Sequence, residues 1–446
     1  MCAVVGIYGN DNAAKLASIA LFAMQHRGQE ATGISSSYGN KIHTIKNRGL
    51  VSEVFSEKSF EILKGNMAIG HNRYSTAGND SILDAQPVHA KYKLGEISIV
   101  HNGNLVNKDQ VRQDLIDSGA IFQTGMDTEN IVHLIAKNTK DSLQDRIVEA
   151  LQKAVGSYCF IIQSRSKQFV IRDKYGIRPL SLGKLKSGGW IVASETCAFD
   201  LVEAEFVRDV KPGEMLVFSQ EHSEPESIQL FEPEYRPCAF EYIYFARPDS
   251  VIDGKSVYAM REELGKALAK KEKNIVVDMV VPVPDSGVPA ALGYALASGI
   301  PFKTGIIRNH YIGRTFIEPT QEMRDLKVKM KLSAMASLIK GKSLVVIDDS
   351  IVRGTTSKRI VRMLKRAGAK EVHFRVASPM IKFPCFYGID TPNKKDLINA
   401  NMSKEQVREY IEADSLEYLS IDELIAGLGN DRNYSLPSFD GNYFIK

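Results

Sequence analysis

A cysteine occupies the second position of this 446-residue chain, directly after the initiator methionine. Methionine is readily trimmed before a small residue, and Cys2 would then carry a free α-amino group. A thiol beside an α-amine, whose reference pKa is about 7.7–8.0, has its own general base within reach. A small second residue also has a plainer explanation, namely that it only permits trimming. Cys2 is therefore a candidate nucleophile that needs support from other residues.

That support comes from four polar motifs that follow apolar runs. The letters AVVGI after Cys2 predict a buried strand that would carry the thiol at its start. Polar clusters at strand ends are where side chains converge on a site, and four of them together favour one. The motifs are HRGQEATGI (26–34), GHNRYSTAG (70–78), HNGNLVN (101–107) and TGMDTE (124–129).

A second candidate site lies in the string SLVVIDDSIVRGTTSKRIV (343–361). Its apolar strand ends in Asp348 and Asp349, which could accept hydrogen bonds from two vicinal ribose hydroxyls or approach a divalent cation. The Ser/Gly/Thr loop that follows opens a helix, whose N-terminal N–H groups and hydroxyls form a ready site for a phosphate. A GxxxxGK[ST] phosphate loop does not occur in the sequence.

The pattern of strands and helices differs between the two halves of the chain, and each half would position one of these sites. Through about residue 235, short β-type runs such as Ala3–Ile7 and Ile97–Val100 alternate with few helices, which predicts an α+β layered domain. Residues 221–237 predict a boundary loop. Beyond that loop, strands, loops and helices alternate along the chain, which predicts a parallel α/β sheet. Its predicted strands are Ile275–Val281, Ser343–Ile347 and Val372–Ala377. We expect two domains, 2–235 and 236–446, the second ending in helices.

Composition excludes several classes of protein. With 44% hydrophobic and 25% charged residues the chain is neither disordered nor collagen-like. The sequence contains no run of 18 apolar residues and therefore predicts no membrane span. No secretory signal is visible either, so we expect a cytoplasmic protein with no membrane partner. Five scattered cysteines without a CxxC pair fit a reducing compartment. The net charge of +4 is near neutrality and argues neither for nor against nucleic acid, but no basic helix or DNA-binding extension is evident, so we expect no nucleic-acid partner.

The first half resembles the glutamine amidotransferase domain of the N-terminal-nucleophile class, and the whole chain resembles the glutamine phosphoribosylpyrophosphate amidotransferase family. The resemblance rests on the motifs above, in the same order along the chain. It implies an αββα layered domain followed by a type I phosphoribosyltransferase domain. It also implies an enzyme that hydrolyses glutamine and transfers the ammonia to phosphoribosyl pyrophosphate. The products would be 5-phosphoribosylamine, glutamate and pyrophosphate, in the first committed step of purine synthesis.

The resemblance assigns roles in the glutamine site. Cys2 would attack the amide carbon, and Asn102 and Gly103 would stabilise the oxyanion. Three further residues would bind glutamine: Arg73 at the α-carboxylate, Asp127 at the α-ammonium, and Thr76 as a secondary contact. Two residues of the first motif are less clear from sequence. His26 we expect to be structural, and Arg27 could either serve the site or form a structural ion pair.

In the second site the resemblance implies contacts to phosphoribosyl pyrophosphate and magnesium. The sugar phosphate would be held by Asp348, Asp349, Ser350, Arg353, Gly354, Thr355, Thr356, Ser357 and Arg314. One Mg²⁺ per subunit would be bound weakly by Ser286, Asp348 and Asp349, although Ser286 could equally be a simple helix cap. Arg314 belongs to the basic loop 309–334, which is either a solvated loop or a lid over the pyrophosphate.

The same resemblance implies a homo-oligomer inhibited by purine nucleotides. Some family members also bind a [4Fe–4S] cluster through four cysteines. Here Cys238 and Cys385 match two of those positions, but Ser435 and Ser438 stand where the other two cysteines would be needed. Cluster ligation requires thiolates, so we expect no iron–sulfur cluster.

Two other functions remain open on the sequence. One is a glutaminase that feeds a different acceptor. This function predicts that the second half is a sugar isomerase or an ATP-binding domain, and the string at 343–361 contradicts both. The other is a non-catalytic regulator that binds phosphoribosyl pyrophosphate, which predicts losses at Cys2, Asp127 or Asp348. All three residues are present.

Overall fold

The computed structural model describes residues 1–74, 82–272, 275–309, 332–389 and 393–445. Thr76, Arg314 and most of the basic loop 309–334 lie outside these residues, so the predicted lid is not described. Within the described ranges, no helix is long and apolar enough to cross a membrane.

The first half of the chain forms two antiparallel sheets. The seven-stranded sheet has the spatial order Ala204–Asp209, Ser181–Leu185, Trp190–Ala193, Ala3–Tyr8, Met67–Arg73, Ala31–Tyr38 and Lys41–Arg48. The six-stranded sheet has the order Glu226–Gln229, Glu214–Phe218, Gln168–Arg172, Gly156–Gln163, Gly95–Leu105 and Val88–Tyr92.

The two sheets pack face to face over an apolar core. Val4 and Ile69 from the first sheet meet Val100, Ile161 and Leu216 from the second, and all five side chains are fully buried. Burial of both inner faces follows from the apolar residues that alternate along these strands. This core fixes the Cys2 end of one sheet beside the Asn102 strand of the other.

Helices cover the outer face of each sheet. Ala13–Ala23 and Cys197–Leu201 pack on the seven-stranded sheet, while Asp127–Lys137 and Leu143–Gln152 pack on the six-stranded one. The resulting order of helix, sheet, sheet and helix confirms the predicted αββα layers. The remaining helical segments are Gln25–Arg27, Val51–Val54, Glu57–Ile62, Ile82–Asp84 and Lys108–Asp117.

The second half contains a four-stranded parallel sheet, which confirms the predicted α/β fold. Its spatial order is Met279–Pro282, Ser343–Asp348, Glu371–Val376 and Ser415–Tyr418. Shorter strands are Val251–Ile252, Lys255–Ser256, Ile306–Arg308 and Leu332–Ala334. The helical segments are Glu241–Phe245, Val257–Lys270, Val288–Ser298, Ala336–Ile339, Thr355–Arg366, Lys394–Asp396, Ile398–Asn401, Lys404–Ile411, Ile421–Gly427 and Pro437–Asp440.

Two local expectations were wrong. The strand predicted from Ile275 begins only at Met279, and Val276, within the expected strand, is 87% exposed. The expected loop 221–237 contains the strand Glu226–Gln229, which pairs along the edge of the six-stranded sheet. The predicted domain boundary after residue 235 follows this strand and stays a prediction.

Candidate functional site: two adjoining centres

Cys2 lies at the start of the central strand Ala3–Tyr8. Its backbone N–H donates to Asn102 Oδ1 at 3.1 Å, and its thiol lies 3.9 Å from the carbonyl oxygen of Tyr74. Cys2 is partly exposed, whereas the other four cysteines are buried. The Cys2 thiol is thus the accessible one of the five, at the rim of the sheet pair.

Asn102 and Gly103 lie in the strand Gly95–Leu105, so the HNGN motif is part of the strand and does not follow its end. The register pairs Gly103 with Tyr158. At φ +155° a Cβ on Gly103 would come within 2.0 Å of the Ser157 carbonyl oxygen, so glycine is required there. Asn102 is fully buried, and its Nδ2 has no hydrogen-bond partner among the described residues. A buried amide donor beside a thiol suits an oxyanion.

Asp127 begins the helix Asp127–Lys137 and faces the same strand. Its carboxylate accepts the Leu105 N–H at 2.9 Å and lies 3.3 Å from Nδ1 of His101. Burial alone would raise the pKa of Asp127, but the charge and hydrogen bond of His101 and the Leu105 N–H hold it below its usual value. Asp127 therefore stays an anion near neutral pH, as a partner for an ammonium group must.

Arg73 ends the strand that pairs with Ala3–Tyr8. Because Ala3 pairs with Asn72, the register places Arg73 across from Cys2. The Arg73 guanidinium lies 3.5 Å from a carboxylate oxygen of Asp84 and is 15% exposed. A largely buried cation thus belongs to the residue opposite Cys2, close in sequence to Thr76.

The structure answers the open question about Arg27 and His26. Arg27 is fully buried and donates to Glu195 at 2.5 Å and to both carboxylate oxygens of Glu241 at 2.9 Å. Its Nε also donates to the Cys2 carbonyl at 3.0 Å. His26 lies 2.9 Å from Glu195. Arg27 therefore belongs to a buried ion network that reaches the Cys2 backbone, and the partly exposed His26 contacts the Glu195 carboxylate of the same network.

A cavity of about 490 Å³ lies at the carboxyl ends of the parallel strands, where ligands of such sheets bind. Its lining includes every described residue that the sequence assigns to the sugar-phosphate site: Ser286, Asp348, Asp349, Ser350, Arg353, Gly354, Thr355, Thr356 and Ser357. Gly354 precedes the helix Thr355–Arg366, so the N-terminus of that helix opens at the cavity. The arrangement offers N–H groups and hydroxyls to an anion.

The two adjacent acids of this cavity are buried together. Ser286 and Ser350 donate to the Asp349 carboxylate at 2.5 and 2.6 Å, and the Asp349 N–H donates to Asp348 Oδ1 at 3.0 Å. Burial and the neighbouring charge of Asp349 raise the pKa of Asp348 well above its usual value, and burial raises that of Asp349 as well. A cation or sugar hydroxyls at this point would relieve that repulsion.

These residues fit a weakly held magnesium ion. Asp348, Asp349 and Ser286 offer only oxygen donors, which Mg²⁺ prefers, and Mg²⁺ usually takes one or two carboxylates while keeping several waters. Among the described residues no group of three or more His, Cys, Asp or Glu side chains could hold a metal. The donor set therefore suits an ion that arrives with other ligands of its own.

The residues that match the iron–sulfur positions do come together, but they do not fit a four-thiolate cluster. Cys238, Cys385, Ser435 and Ser438 line one small cavity near Arg178. Two of the four side chains are hydroxyls, and all four residues are buried or nearly so. The set supplies half of the thiolates that a cluster needs.

Sequence reasoning missed several residues of the second cavity. Phe240, Tyr244 and Phe245 line it, as does Ile389, and none of the four is among the residues that the sequence assigns to this site. Their signal in the sequence is weak because apolar cavity walls and core residues have the same composition. Tyr74 also lines this cavity, while its carbonyl contacts the Cys2 thiol. The two centres therefore adjoin at one residue.

Comparison with known proteins matches both halves. Residues 71–200 match a family model described as a glutamine amidotransferase domain, and residues 255–378 match a phosphoribosyl transferase domain. Amidophosphoribosyltransferase 2 of Arabidopsis thaliana, a chloroplastic protein, is 48% identical over the full chain and 79% of its own length. The amidophosphoribosyltransferase of Bacillus subtilis is 45% identical over 99% of this chain and 94% of its own.

Solved structures give the same result. The B. subtilis glutamine phosphoribosylpyrophosphate amidotransferase, complexed with ADP and GMP, superposes with a TM-score of 0.93 at 44% identity. The match covers 100% of this chain and 98% of that one. With both domain types, both centres and full-length relatives in agreement, the chain belongs to the amidophosphoribosyltransferase family.

Proposed function

We propose that this chain hydrolyses glutamine at Cys2 and transfers the ammonia to phosphoribosyl pyrophosphate, releasing 5-phosphoribosylamine, glutamate and pyrophosphate. This is the first committed step of de novo purine synthesis. The observation that carries the proposal is the position of Tyr74, whose carbonyl lies 3.9 Å from the Cys2 thiol while the residue lines the sugar-phosphate cavity. A centre that makes ammonia thus opens beside one that would consume it.

The first centre supplies the groups for amide hydrolysis. Removal of Met1 would convert the Cys2 amide next to Asn102 into an α-amine that serves as general base. The thiolate adds to the amide carbon, and ammonia leaves with a thioester remaining, which water then hydrolyses. The Asn102 Nδ2 and the Gly103 N–H stabilise the oxyanion in both steps. Asp127 and Arg73, with Thr76, hold the two charged ends of the amino acid.

The second centre supplies the groups for transfer to the sugar. Asp348 and Asp349 accept hydrogen bonds from the ribose hydroxyls, and the N-terminus of the helix Thr355–Arg366 holds the 5′-phosphate. Mg²⁺, held through Ser286 and the two acids, would neutralise the charge of the leaving pyrophosphate. Arg314 would contact the pyrophosphate from the basic loop. Ammonia attacks the anomeric carbon, the bond to pyrophosphate breaks, and a proton is lost from nitrogen.

Exclusion of water between the centres keeps ammonia unprotonated and nucleophilic. The aromatic wall of the second cavity, formed by Phe240, Tyr244 and Phe245, supports such a dry path. The pair Cys238 and Cys385 with two serines supports activity without an iron–sulfur cluster. A reducing compartment such as the cytoplasm suits an enzyme that needs a free Cys2 thiol.

Regulation and assembly are further parts of the proposal. The B. subtilis relative was solved with ADP and GMP, which supports inhibition of this chain by purine nucleotides. We also propose a homo-oligomer. Inhibition assays with adenine and guanine nucleotides and sedimentation of the purified protein would check the two points.

The central test is release of glutamate and pyrophosphate, measured with and without phosphoribosyl pyrophosphate and Mg²⁺, for wild type and Cys2→Ser. We expect one glutamate per pyrophosphate in wild type, loss of glutamine use in Cys2→Ser, and retained use of free ammonia. Glutamate release that is indifferent to the sugar would indicate another acceptor. Binding of the sugar without either product would indicate the non-catalytic regulator.

A further inference from the structure

A short segment of the second half lies directly on the oxyanion strand of the first. Gly388 has φ +96°, and a Cβ built on it would be 3.0 Å from the Gly103 carbonyl carbon and 3.2 Å from Gly103 Cα and O. Such distances are tighter than ordinary van der Waals contact. The backbone of Gly388 therefore packs on Gly103 Cα and on the carbonyl group that links Gly103 to Asn104, so a side chain at 388 would press directly on the residue that carries the Gly103 N–H.

Three hydrogen bonds fix the residues before Gly388 to the first half. Asn104 Nδ2 donates to the Phe386 carbonyl at 2.8 Å, and Arg178 donates to the Tyr387 carbonyl through Nε at 3.2 Å and through Nη2 at 2.5 Å. Tyr387 is 1% exposed. The segment is thus anchored on the amidotransferase side immediately before its contact with Gly103.

The residue that follows Gly388 belongs to the other centre. Ile389 is nearly buried and lines the sugar-phosphate cavity together with the acids and the phosphate loop. One peptide bond therefore separates a contact to the oxyanion strand from the wall of the acceptor cavity. A ligand in that cavity that moves or holds Ile389 must also act on Gly388.

We propose that Gly388 is a positioning residue for glutamine hydrolysis and that the segment 387–389 couples the acceptor cavity to the oxyanion donors. This proposal rests on the proposed function above. Oxyanion donors must lie about 2.7–3.1 Å from the developing charge, so a small displacement of Gly103 moves its N–H out of range and weakens the stabilisation. Occupancy of the acceptor cavity stabilises the segment in the position that holds this residue, and glutamine hydrolysis rises.

The coupling is thermodynamically reciprocal as far as binding is concerned. If phosphoribosyl pyrophosphate favours the aligned segment, a ligand that occupies the oxyanion centre favours binding of phosphoribosyl pyrophosphate by the same factor. The segment needs no large movement for this, because the contact to Gly103 is already close.

The variant Gly388→Ala tests the proposal, with Gly188→Ala as the matched control. Gly188 has φ +95°, and a Cβ there would meet nothing within 4 Å. Both variants carry the same backbone strain, but only one inserts a methyl group against Gly103. The measurements are kcat and KM for glutamine with and without phosphoribosyl pyrophosphate and Mg²⁺, ammonia-dependent synthesis, and the rate of Cys2 alkylation by iodoacetamide.

We expect kcat for glutamine to fall about 10- to 100-fold in Gly388→Ala, since a misplacement of about 1 Å can cost on the order of 100-fold. The KM for glutamine, ammonia-dependent synthesis and Cys2 alkylation should stay close to wild type. Alkylation forms an S–C bond and expels iodide without making an oxyanion, so it reports the thiol alone. The stimulation of glutamine hydrolysis by phosphoribosyl pyrophosphate should shrink in Gly388→Ala and persist in Gly188→Ala.

Other results would overturn the proposal. An unchanged kcat and stimulation in Gly388→Ala would show that the contact does not align the donors. Parallel loss of glutamine use, ammonia use and alkylation would assign Gly388 a purely structural role. Glutamine hydrolysis by the wild-type protein is measured before the variants are tested. If the wild type hydrolysed no glutamine, the proposed function itself would be contradicted, and this result is distinct from a failure of the proposal for Gly388.

Discussion

The guanidinium of Arg27 donates to both carboxylate oxygens of Glu241 at 2.9 Å, while its Nε donates to the Cys2 carbonyl at 3.0 Å. Both side chains of this pair are essentially inaccessible to solvent. Arg27 belongs to the first half and Glu241 to the second. One buried ion pair therefore ties the two halves together at the peptide group of the proposed nucleophile.

Removing the charge of Glu241 should therefore destabilise the whole chain. In Glu241→Gln the Arg27 cation loses a buried partner, and we expect the free energy of unfolding to fall by about 3–5 kcal/mol. Urea unfolding measures this. The control is Glu57→Gln, which breaks an exposed pair with Lys15 and should cost less than about 1 kcal/mol. Equal small losses in the two variants would show that the buried pair is not what joins the halves.

Replacement of Asn102 by alanine removes the buried amide donor beside Cys2. We expect kcat for glutamine to fall about 100- to 1,000-fold, as for loss of one oxyanion donor elsewhere. Ammonia-dependent synthesis should remain, because the sugar-phosphate cavity contains no part of Asn102. Steady-state assays with each nitrogen source check this. A matching loss of ammonia-dependent synthesis would contradict the assignment.

Much of the architecture could be predicted from local patterns. The apolar runs near Ala3 and Ser343 identify central strands because buried strands need continuous apolar letters. The string after Asp348 identifies its loop and helix because glycine, serine and threonine there meet the needs of an anion site. These features depend on neighbours in sequence, so a single sequence contains them.

Other features depend on residues far apart in the chain. The strand Gly95–Leu105 continues through its polar HNGN letters because it pairs with Gly156–Gln163, whereas the local pattern suggested that the strand ends before them. The strand Ser415–Tyr418 was missed because its parallel partner, Glu371–Val376, lies about 40 residues earlier. The approach of Gly388 to Gly103 follows from the packing of two halves, which no local motif encodes.

The variant Asp348→Asn should separate the two activities. It removes a charged acceptor from the sugar-phosphate cavity, and loss of a hydrogen bond to a charged group costs about 1.5–3 kcal/mol. We expect the KM for phosphoribosyl pyrophosphate to rise about 10- to 100-fold, since about 1.4 kcal/mol is tenfold. Basal glutamine hydrolysis should remain measurable.

A suitable control for that variant is Asp278→Asn. Asp278 precedes the neighbouring strand Met279–Pro282 and accepts hydrogen bonds from Lys342 and the Ser343 N–H, at the opposite end of the sheet. The KM for phosphoribosyl pyrophosphate should not change there. If Asp348→Asn abolished both activities equally, its role would be to maintain the fold.

Glu129 gives a prediction about pH. Its carboxylate accepts the Gln123 N–H at 2.8 Å and both the N–H and the hydroxyl of Thr124 at 2.8 and 2.7 Å. Burial would raise its pKa, but His133, whose Nε2 lies 3.8 Å away, and the hydrogen bonds from Gln123 and Thr124 lower it from the usual 4.5 to about 2. This fixes the loop before Asp127 to the first turn of the helix that begins there.

Because the pKa of Glu129 is lower in the folded than in the unfolded chain, its contribution to stability is complete above about pH 4.5 and is lost as the pH falls toward about 2. We therefore expect Glu129→Gln to melt at a lower temperature than wild type at pH 7, because its free energy of unfolding falls by about 1.5–3 kcal/mol. The difference in melting temperature between this variant and wild type should narrow as the pH falls from about 4.5 to about 3. Glu61→Gln, at an exposed position of the helix Glu57–Ile62, should match wild type throughout. If the melting-temperature difference between Glu129→Gln and wild type stayed constant with pH, the shape of the side chain, and not its charge, would hold the loop.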